Sequence, residues 1–303
     1  MRVVATASLP IDLAAQVRAA LPTAHVEAPA AGWTGLAALD LSDADALVCL
    51  LLDRIDAGVL ARAPRLRVIA SCAVGIDNID LAATAAAGVI VTNTPDVLTE
   101  ATAEFAIALL FAAARRLGEG ERLVRGGAWP GWRLDQLLGM QLAGKTLGII
   151  GLGRIGRAVA RRAEALGMRV IAARSHEPVD PIFAAADAIS LHCPLTPATR
   201  HLVDARRLAS MRPGGILINT ARGGCVDEEA LADALASGHL SGAGLDVYAH
   251  EPAIHPRLLA SPRAVLAPHL GSATTEARTQ MAQLCADAVI AVLTGRRPAN
   301  VVG

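Results

Sequence analysis

Short segments that are apolar throughout alternate with helical segments along almost the whole chain, and this alternation constrains the fold more than any other feature. Helical segments such as 155–166 and 228–237 separate the apolar runs. Strands of this kind are typical of parallel sheets that helices cover on both faces. The pattern predicts an α/β protein, and a length of 303 residues accommodates two doubly wound units. The strand-like runs are 2–5, 46–52, 66–71, 90–92, 146–150, 169–173, 188–192, 216–219, 242–246 and 264–267.

Composition excludes several classes of protein. Apolar residues make up 53% of the chain and charged residues 18%, which excludes a disordered chain. The apolar run 105–114 is too short to span a membrane. The 28 basic residues balance 28 acidic ones, so we expect neither a nucleic acid nor a membrane as a partner. Five scattered cysteines and the lack of a signal-peptide pattern predict reduced thiols in a cytoplasmic protein, with no metal site.

A glycine motif provides the first chemical signal. Gly151-Leu-Gly153-Arg-Ile-Gly156 directly follows the predicted strand 146–150 and opens a predicted helix. The first glycine permits a tight turn, the second lets the backbone approach a pyrophosphate, and the third lets helix and strand pack closely. The helix amides then face the phosphates. We therefore predict a dinucleotide site, the alternative being a purely structural turn.

The residues after the next strand bear on the choice of cofactor. An NAD site normally has Asp or Glu at this position to bind the ribose 2′-hydroxyl. Here the strand ends at Arg174 and Ser175, which would instead bind a 2′-phosphate through charge-assisted hydrogen bonds. Glu177 stands further along, where only a bent loop would bring it back. We predict NADP, and NAD with a solvated surface arginine remains the alternative.

Three polar residues follow later strands, at the edge where ligands bind in open α/β sheets. Arg222 can clamp a carboxylate and polarise a ketone, and His269 can protonate the ketone oxygen as hydride arrives. Glu251 would orient the imidazole and favour its charged form. Taken alone, each of these residues is more simply explained as part of a turn or as a structural cap after a strand. Together with the glycine motif, they predict a reductase.

The segment between the long predicted helix 99–116 and Gly144 is predicted to be irregular. Trp129 and Trp132 lie in it, in a stretch too polar to form a core. Exposed aromatic side chains are typical of interfaces. We therefore predict an oligomer arm at Trp129–Trp132, the alternative being a loop that packs on its own domain.

Motifs along nearly the whole chain resemble those of the D-isomer-specific 2-hydroxyacid dehydrogenases, closest to the glyoxylate/hydroxypyruvate reductases. Asp96 departs from the family pattern, which usually has Gly at that position. The motifs are Val74-Gly75-Ile-Asp77-Asn-Ile-Asp80, Asn93-Thr-Pro95, Leu98-Thr99-Glu100-Ala-Thr-Ala-Glu104, the Gly151 motif, His192-Cys-Pro-Leu, Asn219-Thr-Ala-Arg222-Gly-Gly, Asp246-Val-Tyr and Pro268-His269-Leu-Gly-Ser272.

The resemblance implies a Rossmann nucleotide domain, residues 97–272, inserted into a flavodoxin-like substrate domain of residues 1–96 and 273–303. It implies that Arg222, Glu251 and His269 are catalytic. The substrate would contact the amides of Val74 and Gly75 together with Arg222, Ser272 and Trp132. The cofactor would contact Thr99, Gly151, Gly153, Arg154, Ile155, Gly156, Arg174, Ser175, His192, Pro194, Thr199, Thr220, Ala221, Arg222, Asp246, His269 and Gly271, with Asp246 binding the nicotinamide carboxamide.

The resulting prediction is an NADPH-dependent reductase of a small 2-keto acid, glyoxylate or hydroxypyruvate, with His269 as general acid. Family members dimerise through the nucleotide domain, so a homodimer through the Trp129–Trp132 arm is expected. One alternative is an NAD-dependent dehydrogenase of another D-2-hydroxy acid, including 3-phosphoglycerate. Another is a non-catalytic NAD(P)-sensing binding protein.

Overall fold

The structure, a computed structural model, describes residues 1–174 and 176–302. The chain divides into two compact units. Unit 1 comprises Met1–Leu98 and the segment from Ala273 onward, and unit 2 comprises Thr99–Ser272. The sequence analysis sets the first crossing between residues 96 and 97, whereas the structural division falls between residues 98 and 99.

Unit 1 begins as a series of parallel strands and short helices. Aspartates open several of these helices. The Asp12 side chain accepts a hydrogen bond from the Ala15 amide at 2.8 Å, and Asp80 accepts one from the Ala83 amide at 2.9 Å. The elements are β1 (Arg2–Ala5), α1 (Leu13–Ala20), β2 (His25–Glu27), β3 (Ala46–Cys49), α2 (Ala57–Ala61), β4 (Val68–Ser71), α3 (Leu81–Ala86) and β5 (Ile90–Thr92).

Unit 2 continues the alternation with a second parallel sheet. Its first helix, α4, covers one face together with α6, and α7, α8 and α9 cover the other. The elements are α4 (Thr99–Ala114), α5 (Leu117–Arg125), β6 (Thr146–Ile150), α6 (Arg154–Ala165), β7 (Arg169–Ala173), α7 (Asp180–Ala185), β8 (Ala188–Leu191), α8 (Ala205–Ser210), β9 (Gly215–Asn219), α9 (Glu228–Ala236), β10 (Leu240–Leu245), α10 (Pro256–Ala260) and β11 (Ala264–Leu266).

The last helix, α11 (Thr275–Leu293), belongs to unit 1. The Thr274 side chain caps it by accepting a hydrogen bond from the Ala277 amide at 3.1 Å. Its buried residues, including Cys285 and Val289, pack with Val3 and Leu13 over one face of the unit 1 sheet. Because this helix closes that face, the strands beneath it are buried on both sides.

The strand orders explain where ligands can bind. Among the described residues, the unit 1 sheet runs β2-β1-β3-β4-β5 and the unit 2 sheet runs β11-β10-β9-β8-β6-β7, with every pair parallel. In each sheet the order reverses beside its first strand, between β1 and β3 and between β6 and β8. Ligands bind beyond the carboxyl ends of the strands at such a point. The predicted α/β class with two doubly wound parallel sheets is confirmed.

Two elements differ from the sequence-based prediction. Strand β2, His25–Glu27, was not predicted, because its short edge sequence has polar residues at both ends. Helix α5, Leu117–Arg125, lies in a stretch predicted to be irregular, and two glycines and several charges obscure its pattern. Asp96 has φ of +70°, a left-handed conformation that favours glycine.

Candidate active site

The glycine loop of unit 2 joins β6 to α6. Gly151 has φ of +97°, and a Cβ there would lie 2.7 Å from backbone atoms of His192 and Cys193. A Cβ on Gly156 would lie 2.2 Å from the carbonyl oxygen of Gly151. At Gly153, no described atom lies within 4 Å of where a Cβ would be. The fold therefore requires glycine at positions 151 and 156, because a Cβ at either one would clash with the backbone. At Gly153 there is open space beside α6.

The residues at this edge of the sheet fit a dinucleotide. Gly153 caps α6 without a side-chain hydrogen bond, so the positive end of the helix, at Arg154 and Ile155, can face an anion. Two buried side-chain atoms nearby, His192 Nδ1 and Thr220 Oγ1, have no hydrogen-bond partner among the described residues. Native proteins rarely leave such atoms unpaired. A polar ligand over the ends of β8 and β9 would satisfy both.

His192, directly after β8, is a buried and uncharged imidazole. Burial lowers the pKa of His192 to about 4, so the imidazole is neutral at neutral pH. Its Nε2 lies 2.8 Å from the hydroxyl of Ser190, two residues earlier on β8. The predicted cofactor residues Pro194 and Thr199 lie further along, and the Thr199 hydroxyl donates to the Pro194 carbonyl at 2.6 Å.

The tip of β7 holds the groups that bear on the choice of cofactor. Arg174 is exposed directly after the strand, and Ser175 lies outside the described residues. The carboxylate of Glu177 folds back, and its Oε2 accepts a hydrogen bond from the Arg174 amide at 2.7 Å. The guanidinium of Arg174 and the carboxylate of Glu177 therefore both lie near the carboxyl end of β7.

Arg222 lies in a tight loop after β9. Asn219 braces it, because its amide group donates to the Arg222 carbonyl at 2.9 Å and its carbonyl accepts from the Ala221 amide at 3.0 Å. A Cβ on the next residue, Gly223, would lie 1.8 Å from a backbone atom of Tyr248. The glycine therefore brings the Arg222 loop against the loop after β10.

Glu251 and His269 form the central pair of the site. Glu251 Oε2 lies 2.9 Å from His269 Nδ1, and its Oε1 accepts a hydrogen bond from the Tyr248 amide at 3.0 Å. Burial acts to raise the pKa of Glu251, but the His269 and Tyr248 hydrogen bonds and the positive charges of His269 and Arg222 outweigh it. The pKa lies below its ordinary value. The structure therefore pairs two of the predicted catalytic residues, Glu251 and His269, and the charge of the third, Arg222, acts on the same carboxylate.

Asp246 holds the turn that carries His269. Its two carboxylate oxygens accept hydrogen bonds from the amides of Leu270 and Gly271 at 2.6 and 2.7 Å. Burial raises the pKa of Asp246, and these two bonds act in the opposite direction. His269 itself has φ of +56°, a conformation that such a braced turn can sustain. Binding of the nicotinamide carboxamide by Asp246 stays a prediction.

Sequence analysis missed three residues that shape the site. Tyr248 braces the chain behind the central pair, because its buried hydroxyl donates to the Ala267 carbonyl at 2.9 Å. Asn219 and Gly223 fix the Arg222 loop. All three stand within the quoted motifs, but only tertiary contacts reveal what they do.

The other predicted substrate and cofactor residues are dispersed. In unit 1, Val74 and Gly75 follow β4, and the Asn93 side chain donates to the Val74 carbonyl at 2.9 Å. In unit 2, Thr99 begins α4, Ser272 follows the His269 turn and Trp132 is 78% exposed. Their contacts with ligands stay predictions.

Gly153→Ala provides a direct test of the glycine loop. The protein has room for the methyl group, so the melting temperature should stay within about 4 °C of the wild type. The methyl group would occupy the space proposed for the pyrophosphate, and binding of NADPH and NADH should weaken about tenfold or more. Fluorescence titration measures the binding. Unchanged affinity would show that no ligand approaches Gly153. Gly156→Ala is the comparison variant, and it should lower the melting temperature because its methyl group would clash with the Gly151 carbonyl.

None of the helices in the described part of the chain is both long and apolar enough to cross a membrane.

Comparison with known proteins identifies the family. The family model described as "D-isomer specific 2-hydroxyacid dehydrogenase, NAD binding domain" matches residues 107–271. A glyoxylate reductase from Thermococcus litoralis is 45% identical over 291 residues, which cover 90% of this chain and 88% of the relative.

Two crystal structures extend the similarity to the whole chain. The TT0316 protein from Thermus thermophilus has a TM-score of 0.92 and 45% identity, with all of both chains covered. An NADPH-dependent glyoxylate/hydroxypyruvate reductase from Sinorhizobium meliloti, in complex with NADP and malonate, has a TM-score of 0.85 and 32% identity. That match covers 100% of this chain and 96% of the other. The chain therefore belongs to the D-isomer-specific 2-hydroxyacid dehydrogenase family and is an NAD(P)-dependent oxidoreductase.

Proposed function

We propose that this chain reduces glyoxylate or hydroxypyruvate to the 2-hydroxy acid with NADPH, His269 acting as the proton donor. The observation that carries the proposal is the bond of 2.9 Å between His269 Nδ1 and Glu251 Oε2, beside Arg222 in the unit that bears the glycine loop. The similarity to two reductases of such acids supports the choice of substrate.

The chemistry follows from the donor set. A reduced nicotinamide, when bound, supplies a hydride for the carbonyl carbon. The Arg222 guanidinium polarises the carbonyl group and pairs with the substrate carboxylate. Because Nδ1 of His269 is held by Glu251, Nε2 is the nitrogen that donates a proton to the carbonyl oxygen. The product is the alcohol, and the ionised Glu251 stabilises the imidazolium that must exist before each turnover.

The exposed Arg174 supports NADPH, because a guanidinium at the strand tip pairs with a 2′-phosphate. One observation favours the alternative, NADH. Glu177 reaches the Arg174 amide at 2.7 Å, so a carboxylate is available there for a ribose 2′-hydroxyl. We favour NADPH because Glu177 is exposed and stands beyond Arg174 in the chain, whereas an NAD-type acid would stand directly at the strand end.

Initial rates with NADPH and NADH, each with glyoxylate, hydroxypyruvate, pyruvate and phenylpyruvate, test the proposal. We expect the highest kcat/KM with NADPH and glyoxylate or hydroxypyruvate. Arg174→Ala should lower kcat/KM for NADPH about tenfold to a hundredfold and leave NADH unaffected. Glu177→Gln is the matched variant, and a loss confined to NADH would assign the ribose to Glu177. A wild type that prefers NADH would overturn the role of Arg174, and no turnover would overturn the function.

Two further features belong to the proposal. The segment around the Trp129–Trp132 arm exposes several apolar side chains, among them Trp132 and Leu134 at 78% and 80%, which supports a homodimer through unit 2. In such a dimer Trp132 would help to bind the substrate. Cys49, Cys72, Cys193 and Cys285 are reduced thiols in the structure, which supports a reducing, cytoplasmic location.

A further inference from the structure

A cavity that the proposed function does not use opens at the amino edge of the unit 1 sheet. Arg67 lies on one side of it, directly before β4, and Ile90 begins β5 beside it. The end of α11 and the segment after it form the other side, through Val292 and Gly295. All the lining residues belong to unit 1. The cavity measures about 530 Å³, a volume within the range of pockets that hold small molecules.

The cavity is positively charged. Arg67, Arg296 and Arg297 line it, and none of its lining residues in the described chain is acidic. Asp45 stands at the same edge of the sheet, but its carboxylate pairs with Arg65 at 3.2 Å. None of the three cavity arginines forms an ion pair with a described carboxylate. Because a guanidinium group keeps its charge at any physiological pH, three positive charges lie around one cavity without a described counter-charge.

Hydrogen bonds within the protein hold two of these guanidinium groups. An Nη of Arg67 donates to the Val292 carbonyl at 2.9 Å, at the end of α11. The Nε of Arg296 donates to the Thr294 hydroxyl at 3.1 Å. A guanidinium carries five N–H donors, so each of these bonds uses one and leaves the others for a ligand. Side chains that are already held in this way lose less entropy when a ligand binds.

The rest of the cavity lining is apolar surface or glycine. Ile90, Val292 and Val301 provide the apolar surface. At Gly88 and Gly295, no described atom lies within 4 Å of where a Cβ would be, so the space beside both glycines is open. Apolar walls with a few convergent polar groups are typical of sites for small organic ligands. The walls therefore suit the body of an organic ligand, and the arginines suit its anionic group.

We infer that this cavity binds a small organic phosphate, whose phosphate group pairs with Arg67, Arg296 and Arg297 and whose apolar part lies against Ile90 and the end of α11. The planar guanidinium fork matches phosphate oxygens, and several arginines together favour an anion with about two negative charges and three acceptor oxygens. The site belongs to unit 1 alone. It is separate from the glycine loop and from the reacting residues of unit 2, and the inference does not depend on the proposed reduction.

Isothermal titration calorimetry with phenyl phosphate tests the inference, on the full chain with saturating NADPH, which keeps the glycine loop occupied. We expect saturable binding to the wild type. Arg296→Gln and Arg297→Gln should each raise the Kd about tenfold, because each removes a charged donor to the phosphate. Arg18→Gln removes the same charge from an exposed position on α1, outside the cavity. It is the matched control and should leave the Kd unchanged.

Two simpler probes separate the two parts of the ligand. Phenol lacks the charge and inorganic phosphate lacks the apolar part, so each should bind about tenfold more weakly than phenyl phosphate, or weaker still. Inorganic phosphate that binds as tightly as phenyl phosphate would indicate an adventitious ion only and would overturn the inference. No binding of phenyl phosphate to the wild type would also overturn it. So would a Kd that is the same in the wild type, Arg296→Gln and Arg297→Gln, because the probe would then bind elsewhere.

Discussion

His269→Asn should lower kcat for keto-acid reduction by a factor of about 10²–10⁴, the usual contribution of a general acid. Asparagine is the suitable replacement because residue 269 has φ of +56°, a left-handed conformation that Asn tolerates better than most residues. The Asp246 hydrogen bonds to the turn involve backbone amides and remain. Steady-state kcat at saturating cofactor measures the effect. Cofactor affinity is the control, and an unchanged kcat would exclude His269 as the proton donor.

Glu251→Gln is the companion to this variant, because it keeps a hydrogen-bond acceptor and removes the charge. Loss of this charge should lower kcat for keto-acid reduction about tenfold or more, because the imidazole of His269 loses the anionic partner of its Nδ1. In the wild type the pKa of Glu251 is lowered, so its stabilising charge is present above the ordinary carboxyl range. That stabilisation is lost only as the pH falls through the lowered value. Steady-state kcat at saturating cofactor measures the effect, and an unchanged value would contradict the electrostatic role of Glu251.

Much of this fold is visible in the sequence because its strands are buried on both faces. Strands such as Val68–Ser71 and Thr146–Ile150 are apolar or nearly so and are buried throughout, so they stand out without any periodic pattern. Strand β2 and helix α5 lack that signal. The first is a three-residue edge strand, and the second carries glycines among its charged residues. Sequence reasoning therefore misses the elements that bury few apolar side chains.

The site divides in the same way. Residues with their own chemistry, such as His269, can be found by inspecting the positions just after each strand, because the carboxyl ends of parallel strands share one edge. Residues whose role depends on contacts with distant parts of the chain cannot be found in this way. Nothing in the sequence says that Gly223 must accommodate the backbone at Tyr248, or that Glu177 folds back onto the Arg174 amide. Such contacts depend on loop conformations that the local sequence does not determine.

Arg222→Lys should lower kcat/KM for the keto acid by about 10²–10³, the cost of losing one donor to a developing oxyanion. Lysine keeps the positive charge but lacks the planar fork that can bind a carboxylate and a carbonyl oxygen together. The loop should survive, because Asn219 braces it through the Arg222 backbone carbonyl, and the bond that the Arg222 side chain donates to the Ala221 carbonyl is one that lysine can also make. Arg206→Lys, at an exposed ion pair with Asp180, is the control and should leave kcat/KM unchanged.

The test of Arg222 also separates a role at the reacting carbonyl from a role in cofactor binding. Cofactor affinity should be nearly the same in Arg222→Lys and the wild type, because the glycine loop and the strand tips do not depend on this guanidinium. A loss of turnover without a loss of cofactor binding places Arg222 at the reacting carbonyl. A loss of cofactor binding with unchanged kcat would instead make it a nucleotide ligand.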